Sequence, residues 1–168
     1  GDVFTAAAGH NANTGKSPGQ PMASVRALLA AYDLDAGDII HLDTGTYNLI
    51  ANILITANDS GVRIEGPGGG LAILNRGNSA AGAYGVELVN ADGVSLVNLT
   101  IRSGNMGVYA SATSDSDDLL VENSVIYGNN DSGVRLEATN DRARLLNNRV
   151  YGLPGGATTD NQTYGWYL

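Results

Sequence analysis

The chain has 168 residues, of which 43% are hydrophobic and only 15% charged, with no cysteine and a formal net charge of −8. That balance is too apolar for a disordered segment and too polar for a membrane one, and the length suffices for one buried core. One lysine and eight arginines lie scattered along the sequence, so no basic stripe is present to displace phosphate counterions and nucleic acid is excluded as a partner.

No apolar run is long enough to span a bilayer, so no membrane association is expected, and no basic segment followed by an apolar one opens the chain. Absence of cysteine removes disulfides and thiolate metal sites. A Gly/Asn/Asp/Ser-rich, cysteine-free composition fits a secreted or cell-surface protein of bacterial origin. An acidic surface repels polyanions such as alginate or pectate unless calcium or a local arginine patch intervenes, and accepts neutral ligands more readily.

In chain order, a lead-in loop precedes "PMASVRALLAAYDLDAGD" from Pro21 to Asp38, where Val25, Leu28, Leu29 and Tyr32 recur at helical spacing after a proline and before a glycine. A short amphipathic helix is expected there, covering the first coil of whatever follows. "DIIHLDTGTY" then starts a strand with Ile40 and Leu42 inward and Ile39, His41 and Asp43 outward. "EGPGGG" (65 to 70) lacks the Lys-Ser/Thr of a phosphate-binding loop and is expected to be a turn.

From there the chain repeats. "SLVNLTI" (95 to 101), "LLVENSVI" (119 to 126) and "LLNNRVY" (145 to 151) place Asn98, Asn123 and Asn148 in one column at intervals of 25. Leu96, Val121 and Leu146 precede that column by two positions; Ile101, Ile126 and Tyr151 follow it by three. A second column is "GVEL" (85 to 88), "GVYA" (107 to 110), "GVRL" (133 to 136) and "GWYL" (165 to 168). Similar strands about 25 residues apart pair with their copies in the next turn rather than in hairpins.

The expected fold is therefore all-β: a single-stranded parallel β-helix of about five to six coils, with a short N-terminal capping helix. Residues 1–38 form the lead-in loop and cap and 39–168 the coils of one domain. Its coils stack about 4.8 Å apart, with the asparagines forming an inward hydrogen-bonded ladder at a corner. The Asn-x-Ser/Thr sequons at Asn58, Asn98 and Asn161 are then coincidental.

The stretch "GHNANTGKSPGQPMASVRALLAAYDLDAGDIIHLDTGTYN" (9 to 48) resembles the lead-in of the pectate-lyase-like superfamily of right-handed β-helix proteins. There a "G-x-D-x-N-x-G-x-S-P-x-x-P" stretch, a capping helix, "GD-T-I-x-V" and "G-x-Y" lead into the coils. The resemblance implies a right-handed helix and a polysaccharide partner. It transfers no catalytic residue, because lyases, epimerases, hydrolases and binding modules all use this fold. Such sites lie on the outer face of a parallel sheet, several coils from the cap, so Lys16 comes too early to be a base. His10 and His41 have no acid neighbour in sequence and are expected at the surface, and no "DPH" epimerase signature occurs.

With Val86, Val108, Val134 and Trp166 inward, alternation sends Glu87, Tyr109, Arg135 and Tyr167 outward, one above another on one sheet. Aromatic faces beside arginine and carboxylate suit a sugar, since tyrosine stacks on C–H faces and charged groups take hydroxyl hydrogen bonds. Arg102 and Tyr127 form a comparable pair on the neighbouring strand, Tyr164 is expected at the surface and Trp166 as a plug for the last coil. Calcium needs six to eight oxygens; Asp115, Asp117 and Asp118 in "SDSDD" are the candidate ligands, though they match no known calcium loop. The expectation is a non-catalytic, monomeric carbohydrate-binding module of a larger protein, holding a cell-wall polysaccharide. The alternatives are a trimmed lyase or epimerase, or a structural or adhesin stalk.

Overall fold

The computed structural model of the protein describes residues 1–152 and 164–167. A short strand β1 (Val3–Thr5) and one helix α1 (Val25–Ala31) precede the coils. The first coil comprises β2 (Ile39–Leu42), β3 (Gly45–Asn48) and β4 (Ile53–Thr56), and the second β5 (Arg63–Glu65), β6 (Ala72–Asn75) and β7 (Tyr84–Val89). The third comprises β8 (Ser95–Val97), β9 (Leu99–Arg102) and β10 (Met106–Ala110). The fourth follows with β11 (Leu120–Glu122), β12 (Val125–Tyr127) and β13 (Ser132–Leu136), and the fifth with β14 (Arg144–Leu146), β15 (Arg149–Tyr151) and β16 (Tyr164–Tyr167).

Each strand pairs in parallel with its counterpart one coil away. The first sheet runs β1-β2-β5-β8-β11-β14, the second β3-β6-β9-β12-β15, and the third β4-β7-β10-β13-β16. This is the expected parallel β-helix. Alternation fills its interior with stacked rows: Ile40, Ile64, Leu96 and Val121 in the first sheet, Tyr47, Leu74, Ile101 and Ile126 in the second, Ile53, Val86, Val108 and Val134 in the third. All belong to one core. Each such aliphatic side chain contributes about 1.5–3 kcal/mol when fully buried.

The glycine of the "GV" column has a packing cause. A Cβ on Gly85 would stand 2.6 Å from Ile101 Cγ2 and 2.7 Å from the carbonyl oxygen of Gly107; one on Gly107 would stand 2.5 Å from that of Gly133. Here the third sheet passes so close to neighbouring backbone that no side chain fits.

The corner between the first and second sheets differs from the expected ladder. The residues in left-handed backbone there are Asn98, Asn123 and Asn147, at φ 56°, 51° and 55°, and Asn147 rather than Asn148 completes the column, because β11 pairs Val121 with Leu145 and not with Leu146. The last interval is thus one residue shorter, and Val150 rather than Tyr151 stacks on Ile126. Asn123 and Asn147 are exposed and Asn98 half-buried. What stacks inward is the next position: the Ser124 N–H donates to Asn148 Oδ1 (2.9 Å), while Ser124 Oγ accepts the Leu99 N–H (3.1 Å). Asparagine occupies the corner because it tolerates the left-handed region better than other residues with a side chain.

The lead-in is more ordered than a loop. Thr5, at the end of β1, pairs with Leu42, so the first sheet begins at Val3, 36 residues before the coils proper open at Ile39. Ser24 caps α1 by accepting the Ala27 N–H at 3.0 Å, and Val25 and Leu28 are buried in the common core. The helix ends at Ala31 because Tyr32 turns extended. Its hydroxyl donates to the Thr14 carbonyl and Lys16 Nζ lies 3.8 Å from its ring centroid, so Tyr32 ties down the lead-in loop instead.

Candidate functional site

Register fixes one outward row on the third sheet: Leu54, Glu87, Tyr109, Arg135 and Tyr167 lie one above another. Glu87, Tyr109 and Arg135 are half-buried, while Val86, Val108 and Val134 beneath them are wholly enclosed, as the alternation required. For Tyr164, Trp166 and Tyr167 the backbone places the residues opposite Ser132, Val134 and Arg135; their side chains, including the expected plug at Trp166, lie outside the described residues.

Two tyrosines meet at the centre of this face. Tyr84, at the start of β7, brings its ring to 4.3 Å from that of Tyr109, centroid to centroid, with the planes tilted 39°. Burial raises the pKa of both phenols, and the negative charges of Glu87 and Glu137 beside Tyr84, and of Glu137 beside Tyr109, add to that. Both phenols are neutral donors near neutral pH. Tyr84 escaped the sequence reading, although its place before the "GV" pair is the one Tyr164 holds in the last coil.

Arg135 is clamped. Its Nη1 donates to Asp131 Oδ2 (3.1 Å), and its Nε (3.1 Å) and Nη2 (2.9 Å) reach Glu137 Oε1. Glu137 Oε2 accepts the Ala112 N–H at 3.1 Å, which fixes the carboxylate in turn. Burial opposes the guanidinium charge, but the hydrogen bonds and charges of Asp131 and Glu137 outweigh it and raise the Arg135 pKa further. Arg135 is therefore permanently cationic, a donor rather than a base.

Asn52 organises the other side. Its Oδ1 accepts the Tyr84 N–H (2.9 Å) and Arg76 Nε (3.2 Å), and its Nδ2 donates to the Gly82 carbonyl (3.0 Å) and Glu87 Oε2 (2.8 Å). All four hydrogen-bonding positions of the amide are used. It links the turn before β4 to Glu87 and to the strand that carries Tyr84. No periodicity marks Asn52, since it lies in a turn.

Arg102 and Tyr127 stand on the second sheet, on a different face. Arg102 Nη1 donates to the Tyr127 hydroxyl at 3.1 Å. The Tyr127 ring stacks on Tyr151 at 5.1 Å, with the planes 4° apart, and Arg149 lies 4.7 Å from the Tyr151 ring. One face of Tyr127 is thus covered by another side chain, so the pair is not merged with the tyrosines of the third sheet. The expected Arg102 and Tyr127 partnership exists, but the two groups of candidates do not converge.

The acidic turn is engaged with arginine. Arg142 Nη2 pairs with Asp117 Oδ2 (2.9 Å) and Asp118 Oδ2 (2.8 Å), and Asp117 Oδ1 accepts the Asp141 N–H (2.7 Å). The hydrogen bond from Arg142 holds the Asp118 carboxyl below its ordinary pKa. Asp115 points its backbone N–H at Asn90 Oδ1. Among the described residues no group of three or more His, Cys, Asp or Glu side chains is gathered as a metal would require. His41 pairs with Asp2 (3.1 Å) and stacks on Phe4, a partner far away in sequence.

No helix among the described residues is long and apolar enough to cross a membrane. No curated protein matches the sequence. The fold is similar to the crystal structure of pectate lyase Pel9A, with a TM-score of 0.69 and 21% identity over 89% of this chain and 39% of that one. It is more distantly similar to a rhamnogalacturonan lyase, with a TM-score of 0.45 and 13% identity over 99% of this chain and 62% of that one. At such identities the likeness concerns the fold alone, and the chain spans 39% of the length of the pectate lyase. The family profile described as a right-handed beta helix region matches residues 34–165. The coils, their parallel register and this match agree: the chain belongs to the right-handed β-helix family.

Proposed function

We propose that the third sheet is a polysaccharide-binding face, centred on Tyr84 and Tyr109 and bordered by Glu87 and Arg135. The observation that carries this reading is the 4.3 Å pairing of the two tyrosine rings on one outward face, between an Asn52-anchored carboxylate and a doubly clamped arginine. Aromatic rings offer surface to sugar C–H groups at small entropic cost, while fixed carboxylates accept, and the guanidinium donates, hydrogen bonds with sugar hydroxyls. Coils about 4.8 Å apart present these groups in steps along the solenoid axis, the direction a glycan chain would follow. The structural neighbour with the same fold is a pectate lyase, which supports a glycan as the partner class.

The site offers what binding requires: Arg135 and the neutral Tyr84 and Tyr109 phenols donate hydrogen bonds and the carboxylates beside them accept, the complement of sugar hydroxyls. The same reading places the protein outside the cell, as a module beside further domains.

Affinity electrophoresis through gels containing a panel of neutral and acidic plant and algal polysaccharides tests it. Retardation by at least one glycan, lost in the Tyr84→Ala/Tyr109→Ala variant, is the expected result. Unchanged mobility of the wild type in every gel sinks the reading. Formation of an unsaturated product absorbing in the ultraviolet would replace it with elimination.

A further inference from the structure

The charge around the two tyrosines selects among glycans. Three carboxylates, Glu87, Asp131 and Glu137, border the face. Of the two guanidiniums nearby, Arg135 is bonded to two of those carboxylates, and Arg76 is turned to the Leu49 carbonyl and to Asn52. The strands of the second sheet carry Arg102 and Arg149 and no aspartate or glutamate, while those of the third carry Glu87 and Arg135. Asp131 and Glu137 flank β13, so the surroundings of the two tyrosines hold three carboxylates against Arg135 and Arg76.

We infer that the third-sheet face takes a neutral polysaccharide and excludes polyuronates, an inference that rests on the binding reading above. A uronate laid over Tyr84 and Tyr109 brings its carboxylate beside Glu87, Asp131 and Glu137, where like charges repel in a partly desolvated setting. The charge of the arginine that would compensate is already offset by two carboxylates, one of them fixed by the Ala112 N–H. A neutral sugar meets no such cost. Its hydroxyls donate to the carboxylates. This departs from what likeness to a pectate lyase suggests, because the side chains rather than the fold set the charge of the site.

The full chain is run at low ionic strength through gels of hydroxyethylcellulose, galactomannan, xyloglucan and polygalacturonate. Retardation by a neutral glycan, lost on Tyr109→Ala, with free migration through polygalacturonate is the expected pattern. The E87Q/D131N/E137Q variant, checked for folding by circular dichroism, gains retardation in polygalacturonate; E87Q alone gives a smaller gain if the triple variant fails to fold. Wild-type retardation in polygalacturonate that Tyr109→Ala abolishes overturns the inference while leaving the binding face intact. Free migration in all four gels removes the binding reading, and this inference with it.

Discussion

Ser124 and Asn148 lock adjacent coils together at a corner: the Ser124 N–H donates to Asn148 Oδ1 at 2.9 Å, and Asn148 Nδ2 returns to the Val121 carbonyl at 2.7 Å. One coil earlier, Ser124 Oγ accepts the N–H of Leu99, a fully buried residue. Ser124→Ala leaves that N–H without an acceptor and should cost about 1–3 kcal/mol, read as a lower urea midpoint. Asn148→Ala should cost less, since its site is more open to water.

The corner asparagine acts through its backbone. Asn123 is exposed at φ 51°, so Asn123→Leu should lose about 1–2 kcal/mol through left-handed strain, and Asn123→Gly should keep the Tm within a degree or two of wild type. A side-chain ladder predicts the opposite for glycine, a clear drop in Tm, so the glycine variant separates the two explanations.

Gly107→Ala tests the close approach under the third sheet. Its Cβ would meet the Gly133 carbonyl at 2.5 Å and Ile126 Cγ2 at 2.7 Å, and strand backbone cannot yield. A loss of about 1–3 kcal/mol is expected from overpacking. Gly19→Ala, where no atom lies within 4 Å, should leave the thermal transition unchanged and serves as the control.

Asn52→Ala removes four hydrogen bonds around the Tyr84 strand and Glu87. The expected outcome is weaker glycan retardation even in a variant whose far-ultraviolet spectrum is native, because Tyr84 is no longer held against Tyr109. Retention equal to wild type would mean that the tyrosine pair holds itself.

Asp59 links pH to stability. Burial raises its pKa, with the Asp33 charge adding and a hydrogen bond from the Leu34 backbone opposing. Its ionised form is thus worse tolerated folded than unfolded. The penalty is absent below the unfolded value near 3.8, grows as pH rises toward the raised folded value, and is complete above it. Asp59→Asn should therefore raise the Tm at pH 7 and change little at pH 3. An equal shift at both values would assign the effect to packing.

The coil is legible in the residue pattern alone. Alternation and the "GV" restart assigned Val86, Val108 and Val134 to the core and Glu87, Tyr109 and Arg135 to one outward row, because a period of two has only two faces and a wrong choice would expose every valine. The same reasoning misjudged the corner. Asn147 and Asn148 are adjacent, so the spacing of 25 was satisfied by the wrong one, and only the pairing of Val121 with Leu145 distinguishes them.

The site is assembled only by the folded chain. Asn52, Tyr84 and Glu137 reach it from turns and strand ends, where no repeat sets the spacing, and the separation of Arg102 and Tyr127 from Tyr109 follows from the turn between the second and third sheets. A repeat is legible in sequence because the same pairing energy recurs in every coil; convergence of side chains from unlike turns occurs once and leaves no period to read.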